Sequence, residues 1–307
     1  MNIVKIDPPH TMLIGFPDYI TQAQQFALAA GLPYVTLKLH RFPDAESKLQ
    51  LPASLPAHVI FYCSLDRPND KLIELILAAA GARALGARSV SLVAPYLCYM
   101  RQDKAFQTGE VVSQKVIGKL LADYFDNVLT VDAHLHRIHK LSDAIPARQA
   151  INISATDPMA HFIQQHIENP YLMGPDGESE QWVTDIATHY QMDYGVALKQ
   201  RYSDREVKVT MPEGNYQGRN IVLVDDVAST GKTLIEAARA LAAYHPASLS
   251  VLVTHALFVE DAVTQLKEAG IDNIWSCDSI VHSTNAVKLA DLLAINFNSF
   301  LGSSHKS

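Results

Sequence analysis

Asn220-Ile-Val-Leu-Val-Asp-Asp-Val-Ala-Ser-Thr-Gly-Lys-Thr233 is the stretch that decides the fold of this 307-residue chain. Its apolar run, Ile221 to Val224, is typical of a strand that is buried on both faces of a parallel sheet. Two carboxylates, Asp225 and Asp226, follow where we expect that strand to end. A turn of small and hydroxyl residues comes next, and residues 234–243 after it are rich in strong helix formers. The stretch therefore predicts a strand, a turn and a helix in succession.

This turn has the features of an anion site. Its backbone N–H groups and the N-terminus of the following helix can face a phosphate, and the hydroxyl of Ser229 adds a donor. Asp225 and Asp226 suit the hydroxyls of a sugar instead, so the whole segment predicts a sugar phosphate site. It is not a Walker loop, because Asp226 stands where that motif needs its first glycine. A helix start with a serine cap explains the same residues without a ligand.

The bulk properties favour a soluble globular protein of one large or, better, two ordinary domains. The chain has 48% hydrophobic residues and a mean hydropathy of +0.03, and no apolar run reaches membrane-spanning length. Its formal net charge of −7 argues against a nucleic-acid partner. The three cysteines are far apart and are expected to be free thiols. The N-terminus lacks a signal-peptide pattern, so we expect a cytoplasmic protein without a membrane partner.

Short apolar runs alternate with helical patterns along the chain, which predicts α/β domains built on parallel sheets with helices on both faces. Residues 143–152 break this rhythm and are the predicted linker. We therefore expect two similar domains, residues 1–148 and 149–307, each a mainly parallel sheet flanked by helices. The predicted strands are 12–16, 34–39, 58–63, 89–94, 127–131, 171–174, 196–199, 220–224, 248–254 and 273–276. The predicted helices are 70–85, 112–124, 158–167, 232–244 and 262–269.

Two polar segments in the first half carry side chains suited to nucleotide recognition. We expect Phe42, Asp44 and Glu46 to project from one side of an extended segment, where the ring stacks on a base and the acids accept from its amino group. An ordinary edge strand explains this segment as well. In Arg101-Gln-Asp-Lys104 the two cations need anionic partners if they are buried, and a polyphosphate supplies them. A surface turn is the alternative there.

Two loops after predicted strands carry further candidates. In Cys63-Ser-Leu-Asp-Arg-Pro-Asn-Asp70, Asn69 is the expected N-cap of a helix whose end can attract an anion. In Val131-Asp-Ala-His-Leu-His136, His134 is positioned to bind a metal or a phosphate. His136 and His139 make this run look like a zinc site, but beyond these histidines no cysteine or further ligand lies close in the sequence, so zinc is disfavoured. A structural histidine at a strand end is the alternative.

A pair of cations in the second half, Lys199 and Arg201, stands two residues apart on a predicted strand. The two side chains therefore share a face of that strand. The polar stretch of residues 202–218 follows, and we expect it to form a mobile hairpin. A cationic pair at the start of a lid suits the charge that develops in phosphoryl transfer. A solvated basic strand end is the alternative.

Together these segments resemble the ribose-phosphate pyrophosphokinase family. Residues 220–233 resemble the phosphoribosyl pyrophosphate (PRPP) motif that this family shares with type I phosphoribosyltransferases. The resemblance covers roughly residues 10–295. It implies transfer of the β,γ-pyrophosphoryl group of MgATP to the C1 hydroxyl of ribose 5-phosphate, giving PRPP and AMP. The chain departs from the family pattern at Lys232, where a small residue is usual, and at Ala133, where leucine is usual.

The resemblance also implies roles for the candidate residues. It assigns catalysis to Lys199 and Arg201, and the expected cofactor Mg²⁺ to His134 and to Asp176 of Gly174-Pro-Asp-Gly177. The residues expected to bind ATP are Phe42, Asp44, Glu46, Arg101, Gln102, Asp103 and His134. The residues expected to bind ribose 5-phosphate are Asp176, Asp225, Asp226, Ala228, Ser229, Thr230, Gly231, Lys232 and Thr233.

ATP and ribose 5-phosphate are the partners that the resemblance implies, together with other copies of the chain. The expected assembly is a homo-oligomer, a dimer or a multiple of dimers, in which residues 42–46 reach into the ATP site of a neighbouring subunit. One alternative is a phosphoribosyltransferase that consumes PRPP, which needs only one such domain and neither residues 42–46 nor residues 101–103. The other is a catalytically silent regulatory subunit, which predicts damage to the Lys199–Arg201 pair or to the PRPP turn. Both are intact.

Replacement of Lys199 by alanine should lower kcat by about two to three decades, because one lost transition-state contact costs about 3–4 kcal/mol. The melting temperature should change little, since Lys199 lies outside any apolar pattern. Steady-state kinetics and a thermal melt of Lys199→Ala against the wild type measure both quantities. A variant that keeps activity within about threefold of the wild type contradicts the assignment.

Overall fold

The structure is a computed structural model that describes residues 10–135, 137–201 and 207–302, with the backbone alone at 199–201, 207–208 and 298–302. The strands are β1 (Thr11–Gly15), β2 (Tyr34–Thr36), β3 (Lys38–Arg41), β4 (Ser47–Gln50), β5 (His58–Tyr62), β6 (Ser89–Val93), β7 (Asn127–Val131), β8 (Gln149–Ile153), β9 (Pro170–Gly174), β10 (Asp193–Val196), β11 (Leu198–Arg201), β12 (Val207–Thr210), β13 (Asn220–Ala228), β14 (Ser248–Ala256), β15 (Asn273–Cys277) and β16 (Asn285–Val287). The helices are α1 (Ile20–Ala30), α2 (Pro68–Ala84), α3 (Ser113–Tyr124), α4 (Leu141–Ala144), α5 (Thr156–His166), α6 (Glu180–Tyr190), α7 (Lys232–Ala242), α8 (Ala262–Glu268) and α9 (Ala290–Gly302).

The chain forms two compact units, the first from residues 1–153 with 289–307 and the second from residues 154–288. The first has a six-stranded sheet of order β2-β1-β5-β6-β7-β8, and the second a six-stranded sheet of order β10-β9-β13-β14-β15-β16. Neighbouring strands in both sheets are parallel. The predicted fold class, two similar α/β domains with parallel sheets, is therefore confirmed.

The two units share more than a strand order. Each inserts a two-stranded antiparallel hairpin between its second strand and the strand that follows: β3–β4 in the first unit and β11–β12 in the second. After that hairpin comes a buried strand, a loop and a long helix, which is β5–α2 in the first unit and β13–α7 in the second. The loop of residues 63–67 and the turn of residues 229–231 are thus topological equivalents.

The buried strands explain why the sequence shows uniform apolar runs. In β13, Ile221 through Val224 are fully buried, because helices cover both faces of a parallel sheet. Helix α7 packs its apolar face, which includes Leu234, Ala238 and Leu241 at helical spacing, into the core of the second unit. Among the described helices, none has the length and apolarity that crossing a bilayer requires.

The division of the chain differs from the predicted one in two respects. The predicted linker of residues 143–152 contains most of β8, which pairs with β7 as the edge strand of the first sheet. Its side chains are mostly half-buried, so it lacks the uniform apolar run that marked the central strands. The last helix, α9, returns to the first unit, where the Phe297 ring meets the Phe26 ring of α1 edge-on at 5.6 Å. Four of the described helices, α1, α4, α6 and α9, had no counterpart among the sequence predictions.

A close approach between α3 and α4 requires a glycine at position 118. A Cβ atom built on Gly118 would overlap the carbonyl oxygen of Ala144 in α4. Gly81 in α2 provides a contrast, because a Cβ atom there would lie 3.2 Å from the flexible end of the Leu51 side chain.

We expect Gly118→Ala to lower the free energy of unfolding by about 1–3 kcal/mol, because backbone must move to admit the methyl group. The control, Gly81→Ala, should be neutral or stabilising by up to about 1 kcal/mol, since alanine favours the helix. Urea denaturation of the two variants and the wild type measures the difference. Equal stability of Gly118→Ala and the wild type would show that α3 and α4 are less tightly packed than described.

Candidate active site

The predicted acidic pair lies on a strand, not after one. β13 continues past Val224 to Ala228, and Asp225 pairs in register with Val253 of β14. The expectation that the strand ends before Asp225 is therefore wrong, because β14 is equally long and continues the ladder. Asp226 is 3% exposed, and its backbone N–H donates to Oδ1 of Asp225 over 2.9 Å. The carboxylates are thus held by the sheet itself.

Asp176 joins this pair as a third carboxylate. It follows β9, which is the neighbour of β13, so the two strand ends meet at one edge of the sheet. Its Oδ1 accepts from the N–H of Glu178, and its carbonyl accepts from the hydroxyl of Ser179. Burial, then the charge of Asp226, then that of Asp176 raise the pKa of Asp225 well above its usual value. The edge is therefore a crowded anionic site, which donors such as hydroxyls or a cation would relieve.

The turn after β13 is fastened through its carbonyl groups. The carbonyl of Ala228 accepts from the N–H groups of Leu257 and Phe258, and that of Ser229 accepts from Val259. Gly231 directly precedes α7. Its φ of 69° is a left-handed conformation, which glycine adopts without strain. The N–H groups of the first helical turn have no partner within the helix as a rule, so the end of α7 suits an anion. Thr230 and Lys232 are exposed, while Ser229 and Thr233 are half-buried.

Lys199 and Arg201 lie on β11, where they pair in register with Val209 and Val207 of β12. Their side chains and residues 202–206 lie outside the described part of the structure. The predicted hairpin across residues 202–218 is wrong for its second half. Tyr216 is 1% exposed and its hydroxyl donates to the carbonyl of Pro212, so this side chain is packed into the core, while residues 213–215 are exposed.

In the first unit, the predicted nucleotide-binding acids lie on a turn. Residues 42–46 connect β3 and β4: the N–H of Ala45 donates to the carbonyl of Phe42, and the N–H of Phe42 donates to that of Glu46. Ala45 has a φ of 70°, which completes the turn. The prediction of an extended segment is therefore wrong, because Pro43 favours the first inner position of such a turn. Phe42 is 42% exposed, and Asp44 and Glu46 are exposed as well.

This hairpin is anchored at its base by a buried acid. Glu74 of α2 is 1% exposed and accepts from Nε of Arg41 over 3.0 Å and from the Ser47 hydroxyl over 2.8 Å. Since these two residues flank the turn, Glu74 fixes where Phe42 and the two acids project. Glu74 was not among the predicted site residues.

The segment of Arg101, Gln102 and Asp103 is held by the start of α3. Gln114 donates from Nε2 to the carbonyl of Met100 and from its backbone N–H to that of Gln102. Arg101 is exposed and Gln102 half-buried. Asp103 forms an ion pair at 2.5 Å with Arg137, a residue that the sequence analysis did not single out.

His134 lies in the loop after β7 and is half-buried. Two hydrogen bonds hold this loop against β8: the N–H of Asp132 donates to the carbonyl of Ile153, and the N–H of Ala133 donates to Oδ1 of Asn152. His136 lies outside the described residues. Within the part of the chain that the structure describes, no three His, Cys, Asp or Glu residues are grouped to hold a metal ion.

The loop between β5 and α2 departs from its prediction. The helix begins at Pro68, with Arg67 at its cap in a left-handed conformation, so Asn69 is not the N-cap. Below the loop, Lys71 is buried and donates to Asp66 over 2.9 Å and to the Tyr19 hydroxyl over 2.6 Å. Tyr19 also donates to Asp66. Burial and the nearby Asp66 raise the pKa of Tyr19, so its proton stays in this network. A lysine at an apolar position of the helix is the sequence signal for this buried network.

These two units define an α/β phosphoribosyltransferase-like protein. Residues 12–124 match the N-terminal domain of ribose phosphate pyrophosphokinase, and residues 143–292 match the phosphoribosyl transferase domain. The ribose-phosphate pyrophosphokinase of Methanopyrus kandleri is 33% identical over 83% of this chain and 87% of the relative. That of Saccharolobus solfataricus is 32% identical over 81% and 86%. The chain belongs to the ribose-phosphate pyrophosphokinase family.

A solved structure supports the fold. The phosphoribosylpyrophosphate synthetase from Mycobacterium smegmatis superposes with a TM-score of 0.81 at 18% identity, covering 96% of this chain and all of that one. At this low identity the agreement shows a shared fold.

The crowding at Asp225 predicts a stability gain on its neutralisation. Because the native state raises the pKa of Asp225, it binds this proton more tightly than the unfolded state does. Ionisation therefore lowers stability as the pH rises past the unfolded pKa, and the loss is complete above the native pKa. Asp225→Asn should accordingly be more stable than the wild type at pH 8, and the gain should vanish below about pH 4, where both states are protonated.

Urea denaturation across this pH range measures the effect. Asp193→Asn is the matched control, because Asp193 is a surface aspartate of the same unit whose partner is Arg219. This control should show no gain at any pH. A destabilised Asp225→Asn at pH 8 would contradict the described crowding.

Proposed function

We propose that this chain transfers the β,γ-pyrophosphoryl group of MgATP to the C1 hydroxyl of ribose 5-phosphate and releases PRPP and AMP. The observation that carries the proposal is the edge of the second sheet. There, Asp176, Asp225 and Asp226 stand beside a turn that leads into the N-terminus of α7. Acceptors for a diol next to donors for a phosphate are what a sugar phosphate requires.

In this proposal the sugar phosphate binds both to the carboxylates of that edge and to the turn before α7. Asp225 and Asp226 accept hydrogen bonds from the ribose hydroxyls, and Asp176 assists at the ribose. Residues 228–233 bind the 5-phosphate through backbone N–H groups and the hydroxyls of the turn. The fixed carbonyls of Ala228 and Ser229 support this role, because a turn that is tied down on one side presents its other side without reorganisation.

The nucleotide is assigned to segments of the first unit. Phe42 offers a ring for the base, with Asp44 and Glu46 as acceptors for its amino group. Residues 101–103 and His134 contribute the remaining contacts to base and phosphates. The exposure of the hairpin turn supports the assignment, since an aromatic ring and two acids on a hairpin tip have no role in the core of their own subunit.

Magnesium fits the donor set at this site. Burial and the neighbouring charges of Asp226 and Asp176 raise the pKa of Asp225, so a cation is favoured here, and Mg²⁺ prefers carboxylate and phosphate oxygens. His134 and Asp176 are the residues proposed to serve it. Because Mg²⁺ is usually bound by one or two carboxylates together with substrate phosphates and waters, a complete protein-built cage is not required. When bound, the ion neutralises charge on the transferred phosphates.

The two cations of β11 are assigned to the transfer itself. Lys199 and Arg201 are proposed to stabilise the negative charge that spreads over the pyrophosphoryl oxygens as the C1 hydroxyl attacks the β-phosphorus in line. The position of β11 within the fold supports this assignment. It is the first strand of a hairpin that follows β10, whose neighbour β9 leads to Asp176.

The test is an assay with ATP, ribose 5-phosphate and Mg²⁺ in which AMP and PRPP are both measured. We expect the two products in equal amounts, with none formed when a chelator removes the metal. Two further reactions address the alternatives. PRPP consumption with a nucleobase, in the absence of PRPP synthesis, would favour a phosphoribosyltransferase, and inactivity in every mixture would favour a regulatory subunit.

A shared ATP site predicts complementation between two inactive variants. We propose that the chain forms a homo-oligomer built from dimers, in which residues 42–46 serve the neighbour while Lys199 serves its own subunit. Glu46→Ala and Lys199→Ala should each be nearly inactive alone. After mixing and subunit exchange, each mixed dimer has one intact site, so activity should recover to roughly a quarter of the wild-type value.

Two controls accompany this experiment. Differently tagged chains show whether mixed dimers form, and each variant taken through the same exchange alone gives the background. Mixed dimers that form but remain inactive would place Glu46 and Lys199 in the site of the same subunit.

A further inference from the structure

Arg137 connects two loops of the first unit that the proposed function uses. It comes three residues after His134, in the loop that follows β7. Its Nη1 donates to Oδ1 of Asp103 over 2.5 Å, and its guanidinium carbon lies 5.8 Å from the centre of the Phe106 ring. The side chain of Asp103 is 3% exposed, whereas that of Arg137 is 47% exposed. The cation therefore reaches from solvent to a buried carboxylate on a different loop.

Each loop is already fastened to its own neighbour. The segment of residues 100–103 is tied to α3 through Gln114, and the loop of residues 132–134 is tied to β8 through Asn152. Arg137 adds the bond between the two loops. The Asp103 carboxylate is buried, and breaking a buried ion pair destabilises a protein far more than breaking an exposed one. The Arg137–Asp103 pair therefore resists separation of the two loops.

The ring contact makes arginine the suitable cation here. A guanidinium is planar and binds a carboxylate through one edge while its face lies near an aromatic ring, which a lysine ammonium does not do. Lys104 also lies over the Phe106 ring, at 4.8 Å. The backbone N–H of Phe106 in turn donates to the Glu110 side chain, which closes the turn that carries this ring.

We propose that Arg137 is a positioning residue for the nucleotide. It fixes Asp103 and Phe106, so that Arg101 and Gln102 on one loop and His134 on the other stay at the spacing that one bound nucleotide requires. This inference rests on the proposed function, because it takes residues 101–103 and His134 as nucleotide contacts. Arg137 itself touches neither substrate nor reacting atoms in this scheme.

The kinetic test compares three variants with the wild type. Arg137→Gln should raise KM for ATP about tenfold or more, since a hydrogen bond to a charged group is lost at a preorganised site. Its kcat should stay within threefold, and KM for ribose 5-phosphate should not change. Arg137→Lys should recover part of the ATP affinity, because the charge remains while the planar contact is lost. Arg83→Gln is the matched control: it removes a half-exposed Arg–Asp pair of the same unit, with Asp126, and should leave all three constants unchanged.

A second measurement is independent of turnover. Amide hydrogen exchange in the ligand-free protein should show faster exchange across residues 101–112 in Arg137→Gln than in the wild type. Arg83→Gln should leave these residues unaffected. A wild type without PRPP synthesis would refute the proposed function, whereas the exchange comparison would still decide whether Arg137 holds the loop.

Two results would overturn the inference. If Arg137→Gln has the same amide exchange rates and the same KM for ATP as the wild type, the Arg137–Asp103 pair does not position the residues that bind ATP. A fall in kcat with equal rises in KM for both substrates, together with a lowered melting temperature, would show that the pair only stabilises the fold.

Discussion

The hydrogen-bond ladder that joins β13 to β9 and β14 is the constraint on which the candidate site depends. It carries Asp225 and Asp226 within a strand, and it brings the end of β9, and with it Asp176, to the same edge. Burial, and then the charges of Asp226 and Asp176 at the same edge, raise the pKa of Asp225. The ladder nevertheless holds the three carboxylates together, because the buried backbone groups of these strands must keep their hydrogen bonds to one another. A preorganised anionic edge is the result.

Much of this was predictable because the local sequence and the tertiary structure agree. The central strands were found from apolar runs such as Ile221–Val224, which a sheet covered on both faces requires. The helix that begins at Lys232 was found from its helix formers. The placing of Asp176 with Asp225 came from the resemblance of Gly174-Pro-Asp-Gly177 to the family, and the pairing of β9 with β13 brings the two residues to one edge of the sheet. Residue types and period carry the information on the strands and helices, and the resemblance carries the rest.

The rest depended on contacts distant in sequence. β8 is half-buried and was mistaken for a linker, because an edge strand has no continuous apolar run. The turn at Phe42–Glu46 was predicted as extended: Pro43 favours a turn there, but Ala45, which has the left-handed conformation, lacks the second signal that a glycine would give. Glu74 and Arg137 were missed because their importance comes from partners on other elements, Arg41 and Asp103, which no spacing within the sequence reveals.

The return of α9 to the first unit has a consequence for the order of events during synthesis. The ring of Phe297 completes the packing around Phe26, yet it leaves the ribosome only after all of residues 154–288 have been made. The first unit, although it begins the chain, must therefore wait with an uncovered apolar face on α1 while the second unit is translated. Domains that are continuous in sequence fold in the order in which they emerge. Here the second unit, which is continuous from residue 154 to residue 288, is the one that can finish first.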